Sequence, residues 1–208
     1  MEGLWTQFWE GMRQTGWLEY VAVFAGIGSV WFSKREHVLV YPVGLVNSLI
    51  YIYLSLRAQL PGEAGVNFYY TVVSLYGWVQ WTRRDASHRP LLRISYSSPR
   101  ERFRQTAFFL IIYAGLFLAL EYLRRAFAEG VIPWADALAS ASAFTGMWLM
   151  ARKRVESWYW WILTNISSIP LYFVKGYVFT AVYYTVLLVL AFFGLSEWRR
   201  RAENREHA

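Results

Sequence analysis

The sequence predicts an all-α integral membrane protein with seven transmembrane helices. Charged residues occupy only 17% of the 208 positions, against roughly 25% in a typical soluble domain, while 56% are hydrophobic. Apolar runs of about 16 to 20 residues recur along the chain, close to the roughly 20 that an α-helix needs to cross a bilayer. Lysine and arginine are concentrated in alternate connections between these runs, which is typical of a multi-pass membrane protein.

The individual elements follow these apolar runs in order. Residues 1–16 place Trp5, Trp9 and Met12 on one helical face, which predicts a short interfacial helix and not a cleavable signal peptide. A basic loop is predicted at residues 83–105, and a C-terminal tail at residues 199–208. The seven spans are predicted at residues 17–32, 38–56, 67–82, 106–122, 133–151, 158–174 and 177–195.

The basic residues also predict the orientation of the chain. Sixteen of the 21 lysines and arginines fall in the connections after spans 1, 3 and 5 or in the C-terminal tail. Connections rich in positive charge stay in the cytoplasm, so the tail is predicted to be cytoplasmic and the N-terminus to lie outside. The net charge of +7 is then a consequence of topology and does not indicate a nucleic-acid partner.

Spans 1–3 and spans 5–7 resemble each other. The first set ends in YGWVQWTRR and the second in FGLSEWRRR, and an aromatic stretch precedes both Asn47 and Asn165. Two three-helix units joined directly would point in opposite directions, because three is an odd number. One inserted span makes them parallel, so the sequence predicts a 3+1+3 architecture with residues 17–82 and 133–198 as repeats and residues 106–132 as the linker helix and its loop.

Uncharged polar and aromatic side chains form the candidate binding site between the repeats. Trp158, Trp161 and Asn165 are spaced i, i+3 and i+7, so one helical face carries all three. Rings and amides of this kind suit a small, flat, cationic or polyhydroxylated solute. The candidate residues are Asn47 and Tyr51 in span 2, Asn67, Tyr70, Ser74 and Trp78 in span 3, Trp158, Trp161 and Asn165 in span 6, and Thr180 and Tyr183 in span 7, with Tyr184 as the alternative to Tyr183.

Ionisable residues are nearly absent from the predicted spans. Glu121, Asp136 and Lys175 lie near the predicted outer ends, and none lies at a predicted bilayer centre. Proton- and ion-coupled transporters place such groups inside the membrane, so their scarcity argues against coupled transport. The chain has no cysteine and no recognisable hydrolase or nucleotide-binding motif, so neither an enzyme nor a metal site is predicted.

Some of these residues have simpler interpretations. Asn47 and Asn165 are also explained by hydrogen bonds that hold neighbouring helices together. Trp158 is also explained as a member of the aromatic belt at the membrane interface, whereas Trp161 lies a turn deeper. Pro42 and Pro170 fall within predicted spans 2 and 6, where a proline kinks a helix.

Three motifs in order resemble the PnuC family of bacterial vitamin transporters. They are P-x-G-x-x-N in span 2, Y-G-W-x-x-W in span 3 and W-x-x-W-x-x-x-N in span 6, the last matched by Trp158, Trp161 and Asn165. The resemblance implies a SWEET-like 3+1+3 fold, a homotrimer in the bacterial inner membrane, and facilitated diffusion of nicotinamide riboside, which a cytoplasmic kinase then traps. It implies no cofactor. Asn67 departs from the pattern, since many members have glutamine there.

Other functions remain open at this point. Relatives within the same family carry thiamine or riboflavin, and because thiamine is also cationic, charge does not separate it from nicotinamide riboside. A seven-helix sensor or a membrane-embedded enzyme would belong to another class of protein. The former would need a signalling domain and the latter a buried acid, base or metal cluster, and neither is evident in this sequence.

Overall fold

The computed structural model describes residues 3–57, 61–126 and 132–206, and every named element in these ranges is an α-helix. This agrees with the all-α prediction. Residues 127–131, in the predicted loop after the fourth span, lie outside the described residues. The helices are α1 (Leu4–Gln14), α2 (Trp17–Lys34), α3 (Val40–Arg57), α4 (Pro61–Thr82), α5 (Pro99–Ala126), α6 (Pro133–Ala151), α7 (Ser157–Val174) and α8 (Val178–Glu206).

Two helices extend into regions predicted to be loop or tail. The α5 helix begins at Pro99, because Ser98 and Glu101 form a reciprocal cap in which each backbone N–H donates to the other's side chain. The α8 helix continues to Glu206, and Glu197 there pairs with Arg200 and Arg201 along the helix surface. The end of the predicted loop 83–105 and most of the predicted tail 199–208 are therefore helical.

The two prolines occupy different positions in their helices. Pro42 lies in the first turn of α3, where a proline displaces no helical hydrogen bond, so it has no reason to kink this helix. Pro170 lies inside α7, as the kink interpretation requires. The α4 helix begins at Pro61, before the predicted start of span 3, so Asn67 lies well inside it.

Six helices form a closed ring. Around it α2 packs on α3, α3 on α4, α4 on α6, α6 on α7, α7 on α8, and α8 returns to α2. Outside the ring, α5 packs on α6 and α1 packs on α8. No other pair of helices in the described residues makes comparable contact, so side chains, and not a further helix, fill the middle of the ring.

The outer surface of the helical assembly, which includes α5, is strongly apolar. By length and composition, two helices of the described residues qualify as membrane spans, Pro99–Arg124 and Val178–Asn204. The qualifying 18-residue windows within them have mean hydropathies of 1.9 and 2.2. The α5 helix exposes Leu110, Ile111 and Leu118, which is how a lipid-facing surface is built. The number of spans and the internal repeat remain predictions.

The end of the ring that carries the α2–α3 and α6–α7 connections and the C-terminus is rich in lysine and arginine, and is called the basic end below. The segment after α4 is tied down there. The N–H of Ser95 donates to the carbonyl of Lys153, and the N–H of Val155 donates to the carbonyl of Ser95. The carboxylate of Glu156 then accepts hydrogen bonds from the backbone and hydroxyl of Ser97.

Candidate functional site

An aromatic wall lies where α4, α6 and α7 meet. The indole of Trp161 rests on Gly146, where a Cβ would lie only 3.3 Å from the ring. The ring of Tyr70 is 6.4 Å from that of Trp161 and 6.2 Å from that of Phe144. The hydroxyl of Tyr69 donates to the carbonyl of Phe144 at 3.0 Å, which fixes α4 against α6. The predicted residues Tyr70 and Trp161 are thus brought together.

Asn165 lies one turn beyond Trp161 and is 3% exposed. Its amide makes no hydrogen bond to any other side chain or carbonyl in the described part of the chain, which argues against the interhelical-bond interpretation for this asparagine. Neither atom of this amide is among the fully enclosed, unpaired polar atoms of the described residues, so the amide still borders open space. A solute that reaches this amide would therefore gain its full hydrogen-bonding capacity.

Asn47, which the sequence analysis pairs with Asn165, has a different environment. Its Nδ2 donates to the carbonyl of Ala22 at 2.7 Å, so this amide does hold α3 against α2. The same nitrogen lies 3.0 Å from where a Cβ on Gly26 would be, and the hydroxyl of Tyr183 lies 2.2 Å from that point. Gly26, Asn47 and Tyr183 therefore form a polar corner between α2, α3 and α8.

Four further residues belong to this region, and of these the sequence indicated only Tyr184, as the alternative to Tyr183. Gly26 and Gly146 let the rings of α8 and α7 approach neighbouring backbone. Tyr172 and Tyr184 stack with centroids 5.2 Å apart and planes at 16°, and Tyr184 also contacts Tyr183. The sequence signal for the glycines was their place in the middle of apolar spans, and for Tyr184 its adjacency to Tyr183.

The remaining predicted residues fall into two groups. Tyr51 and Thr180 are partly buried, and Ser74 is 3% exposed without a hydrogen bond to another described residue. Asn67 and Trp78 are not brought to the aromatic wall, since the amide of Asn67 donates to the carbonyl of Glu63 in its own helix and Trp78 is 37% exposed.

Trp158 lies apart from the other candidates, at the basic end. It is 1% exposed, which excludes the interfacial-belt interpretation, and its ring packs on that of Trp198 at 5.6 Å. Trp158 and Trp161 thus share a helix face but lie at different depths in the ring, Trp158 at the basic end and Trp161 in the aromatic wall.

The chemistry of the central region is stacking and neutral hydrogen bonding. Phenol and indole rings offer faces to a flat or cationic ring, while amides and hydroxyls pair with carboxamides and sugar hydroxyls. No group of three potential metal ligands occurs in the described ranges. Two open surface depressions lie on the outside of the molecule, one on α1 beside Trp9 and one on α8 beside Leu195, and neither includes a candidate residue. The inward-facing groups form the better site because ring faces and unpaired polar atoms converge there.

Comparison with known proteins identifies a family. The family model described as nicotinamide mononucleotide transporter matches residues 16–200. The riboflavin/roseoflavin transporter RibM of Streptomyces davaonensis is 27% identical over 91% of this chain and 88% of its own length. The nicotinamide riboside transporter PnuC of Escherichia coli is 22% identical over 94% of this chain and 90% of its own.

A solved structure shares the fold. The crystal structure of the vitamin B3 transporter PnuC superposes with a TM-score of 0.72 at 21% identity, covering 97% of this chain and 88% of the other. At this identity the likeness concerns the arrangement of the helices. It agrees with the resemblance that the three sequence motifs indicate.

Proposed function

This chain belongs to the nicotinamide mononucleotide transporter family, and we propose that it imports nicotinamide riboside by facilitated diffusion. The observation that carries the proposal is Asn165, a residue only 3% exposed whose amide has no hydrogen-bond partner in the described residues, one turn from the ring of Trp161. In this mechanism Trp161 and Tyr70 stack on the cationic nicotinamide ring. Asn165 pairs with its carboxamide, while Asn47 and Tyr183 face the ribose hydroxyls.

The chemistry of the central residues supports facilitated diffusion. The side chains of the aromatic wall and of the polar corner are aromatic, amide or hydroxyl groups, and none of them binds or releases a proton near neutral pH. A carrier without a coupling ion equilibrates its solute and does not concentrate it. Accumulation would then depend on a cytoplasmic kinase that phosphorylates the vitamin and traps it.

The setting of this carrier is part of the same proposal. We place α2 to α8 across a bacterial inner membrane with α1 in the interface, the N-terminus outside and the basic end in the cytoplasm. The two three-helix units then form a SWEET-like 3+1+3 carrier with α5 as the linker. The exposed apolar side of α5 is the surface available for packing in a homotrimer.

Riboflavin is the second candidate substrate, favoured by the 27% identity to RibM. It also presents a flat ring, a polar ring edge and several hydroxyls, so the same side chains suit it. Thiamine, a cationic vitamin, is the third. Isothermal titration of the purified protein with all three decides between them, because each vitamin is tested against the same sites. Binding of riboflavin or thiamine without binding of nicotinamide riboside would reject the leading substrate.

The role of Asn165 has a separate test. Asn165→Ala removes the unpaired amide, and we expect the affinity for the vitamin to fall about 5- to 10-fold, as for the loss of one hydrogen bond. Ser167→Ala is the matched control, since its hydroxyl on the same helix already donates to the carbonyl of Leu163 at 2.6 Å. Equal affinities for the wild-type protein and Asn165→Ala would remove this residue from the site.

A further inference from the structure

Two tryptophans at the basic end form hydrogen bonds between the two halves of the ring, one half made of α2 to α4 and the other of α6 to α8. Each half donates one of these bonds to the other half. The indole of Trp81, near the end of α4, donates to the carbonyl of Ala151 at the end of α6 at 3.2 Å. The indole of Trp198 on α8 donates to the carbonyl of Ser33 near the end of α2 at 3.0 Å. The carbonyl of Ala151 lies in the last turn of α6, where no helical N–H is available to it. The carbonyl of Ser33 also accepts a hydrogen bond from the backbone N–H of Glu36 at 3.0 Å. These two tryptophan–carbonyl hydrogen bonds, called the clasps below, therefore hold each half against the other.

Four buried rings close the ring of helices at this level, and are called the ring quartet. Tyr41 packs edge-on against Trp81 at 5.2 Å, Trp158 packs edge-on against Trp198 at 5.6 Å, and Trp81 meets Trp198 at 6.1 Å. None of the four is more than 7% exposed. Tyr41 and Trp158 are separated by 117 residues, as are Trp81 and Trp198, so the two edge-on pairs correspond.

Two glycines permit this closure. A Cβ on Gly77 would lie 2.5 Å from the ring of Tyr41, and a Cβ on Gly194 would lie 2.4 Å from the ring of Trp158. These glycines are also separated by 117 residues. The arrangement is therefore built twice, once from each half, with the same spacing.

A buried ion pair joins the same halves just beside the rings. The ammonium of Lys153, in the α6–α7 connection, is 2.7 Å from Oε1 of Glu36 in the α2–α3 connection. Lys153 is 4% exposed, and its ammonium also lies 4.6 Å from the centre of the Trp81 ring. Arg201 on α8 approaches the other oxygen of Glu36 at 3.3 Å.

The closed arrangement also contains two polar groups that disfavour it. The hydroxyl of Tyr41 and the indole N–H of Trp158 are buried and have no hydrogen-bond partner in the described residues. They belong to corresponding rings of the quartet. A buried polar group without a partner disfavours the conformation that buries it. When the halves separate, water can reach the quartet and form hydrogen bonds with both groups. These two groups therefore favour the open state.

We propose that the ring quartet, its two tryptophan–carbonyl bonds and the Glu36–Lys153 pair form the closed gate of the carrier at the basic end. The gate rests on the proposed transport function and adds a conformational mechanism to it. Opening separates α4 from α6 and α8 from α2 together, because the two clasps are equivalent. The unpaired groups of Tyr41 and Trp158 keep the closed state from being permanent.

Cysteine labelling measures the opening of this gate. The chain has no cysteine, and Ser33, 3% exposed beside Met150, is a conservative site for one. In the full-length Ser33→Cys protein, reconstituted in vesicles, a membrane-impermeant thiol reagent is applied to the basic end. Trp81→Phe and Trp198→Phe each keep a ring and remove a donor. Each should speed labelling about 5-fold. The double variant should be labelled faster than either single variant, by a factor that also reports the coupling between the two contacting rings.

Two further variants separate gating from general destabilisation. Trp160→Phe removes an indole that donates to Gln105 on α5, outside the ring, and should leave labelling unchanged. Tyr41→Phe removes an unpaired hydroxyl and should slow labelling about 5-fold while raising thermal stability. Damage to the fold alone would speed labelling in every variant.

The outcomes distinguish the gate from the transport proposal. Unchanged labelling in both Trp81→Phe and Trp198→Phe, or faster labelling in Tyr41→Phe, overturns the gate, even if vitamin binding measured by titration is intact. If labelling responds as expected but none of the three vitamins binds, the gate stands as a conformational device and the transport proposal falls.

Discussion

Replacing Gly26 by alanine tests the polar corner between α2, α3 and α8 most directly. The new methyl group would lie 2.2 Å from the hydroxyl of Tyr183 and 3.0 Å from Nδ2 of Asn47. The first distance is far inside van der Waals contact, so the hydroxyl must move. The second requires the amide, whose nitrogen bonds to the carbonyl of Ala22, to shift by a few tenths of an ångström.

The size of the effect follows from the cost of overpacking. Inserting a methyl group into a packed interior costs about 1–3 kcal/mol. If the displaced hydroxyl and amide belong to the vitamin site, that cost weakens binding by roughly 5- to 150-fold. Gly28→Ala is the matched control on the same helix, since its Cβ would lie 3.5 Å from Val43, an ordinary contact. Its effect should be within about 0.5 kcal/mol.

Isothermal titration and thermal unfolding of the purified proteins measure both effects. Adding Tyr183→Phe to Gly26→Ala removes the oxygen that the methyl group strikes, and should restore much of the thermal stability but not the affinity. The reasoning is refuted if Gly26→Ala binds vitamin like the wild-type protein, or if Gly28→Ala is equally impaired. Restored affinity in the double variant would show that Tyr183 contributes only packing.

Two other predictions concern the charges of the basic end. Lys153→Met removes one partner of the buried carboxylate of Glu36 and should lower the free energy of unfolding by about 2–4 kcal/mol. Arg200→Met removes a partner at an exposed ion pair, and should change the free energy of unfolding by less than about 1 kcal/mol in the same thermal assay. The backbone N–H of Ser98, and then two arginines, hold the pKa of Glu101 below its ordinary 4.5. Its ionised form therefore stabilises the fold above that pH, and the stability is lost as pH falls through the lowered pKa; Glu101→Gln should make thermal stability less pH-dependent below pH 5, and an unaltered pH profile would contradict this role.

Hydrophobic patterning predicts helix positions well in this chain because it is a local property. The span predicted at residues 133–151 coincides with α6, and the α7 prediction differs by one residue. The α5 and α8 helices exceed their predicted spans because capping and charge pairs extend them beyond the apolar runs. Apolar length alone contains no signal for such extensions.

Candidate residues were predicted less evenly, for a definable reason. A spacing of i, i+3 and i+7 shows that Trp158, Trp161 and Asn165 share a face, but it does not show what each meets. Trp161 joins the aromatic wall, whereas Trp158 closes the basic end. The two asparagines that the sequence analysis pairs also differ, since Asn47 donates to a neighbouring carbonyl and Asn165 does not.

Composition, periodicity and motif order alone were enough to predict an all-helical membrane protein and its transporter family, because each is read from nearby residues or from their order. Tertiary structure decided that six helices close into a ring, that Gly26 meets Tyr183, and that Trp81 and Trp198 clasp opposite halves. These contacts join residues 70 to 165 positions apart. They depend on the rotation and mutual packing of whole helices, which local patterns do not specify.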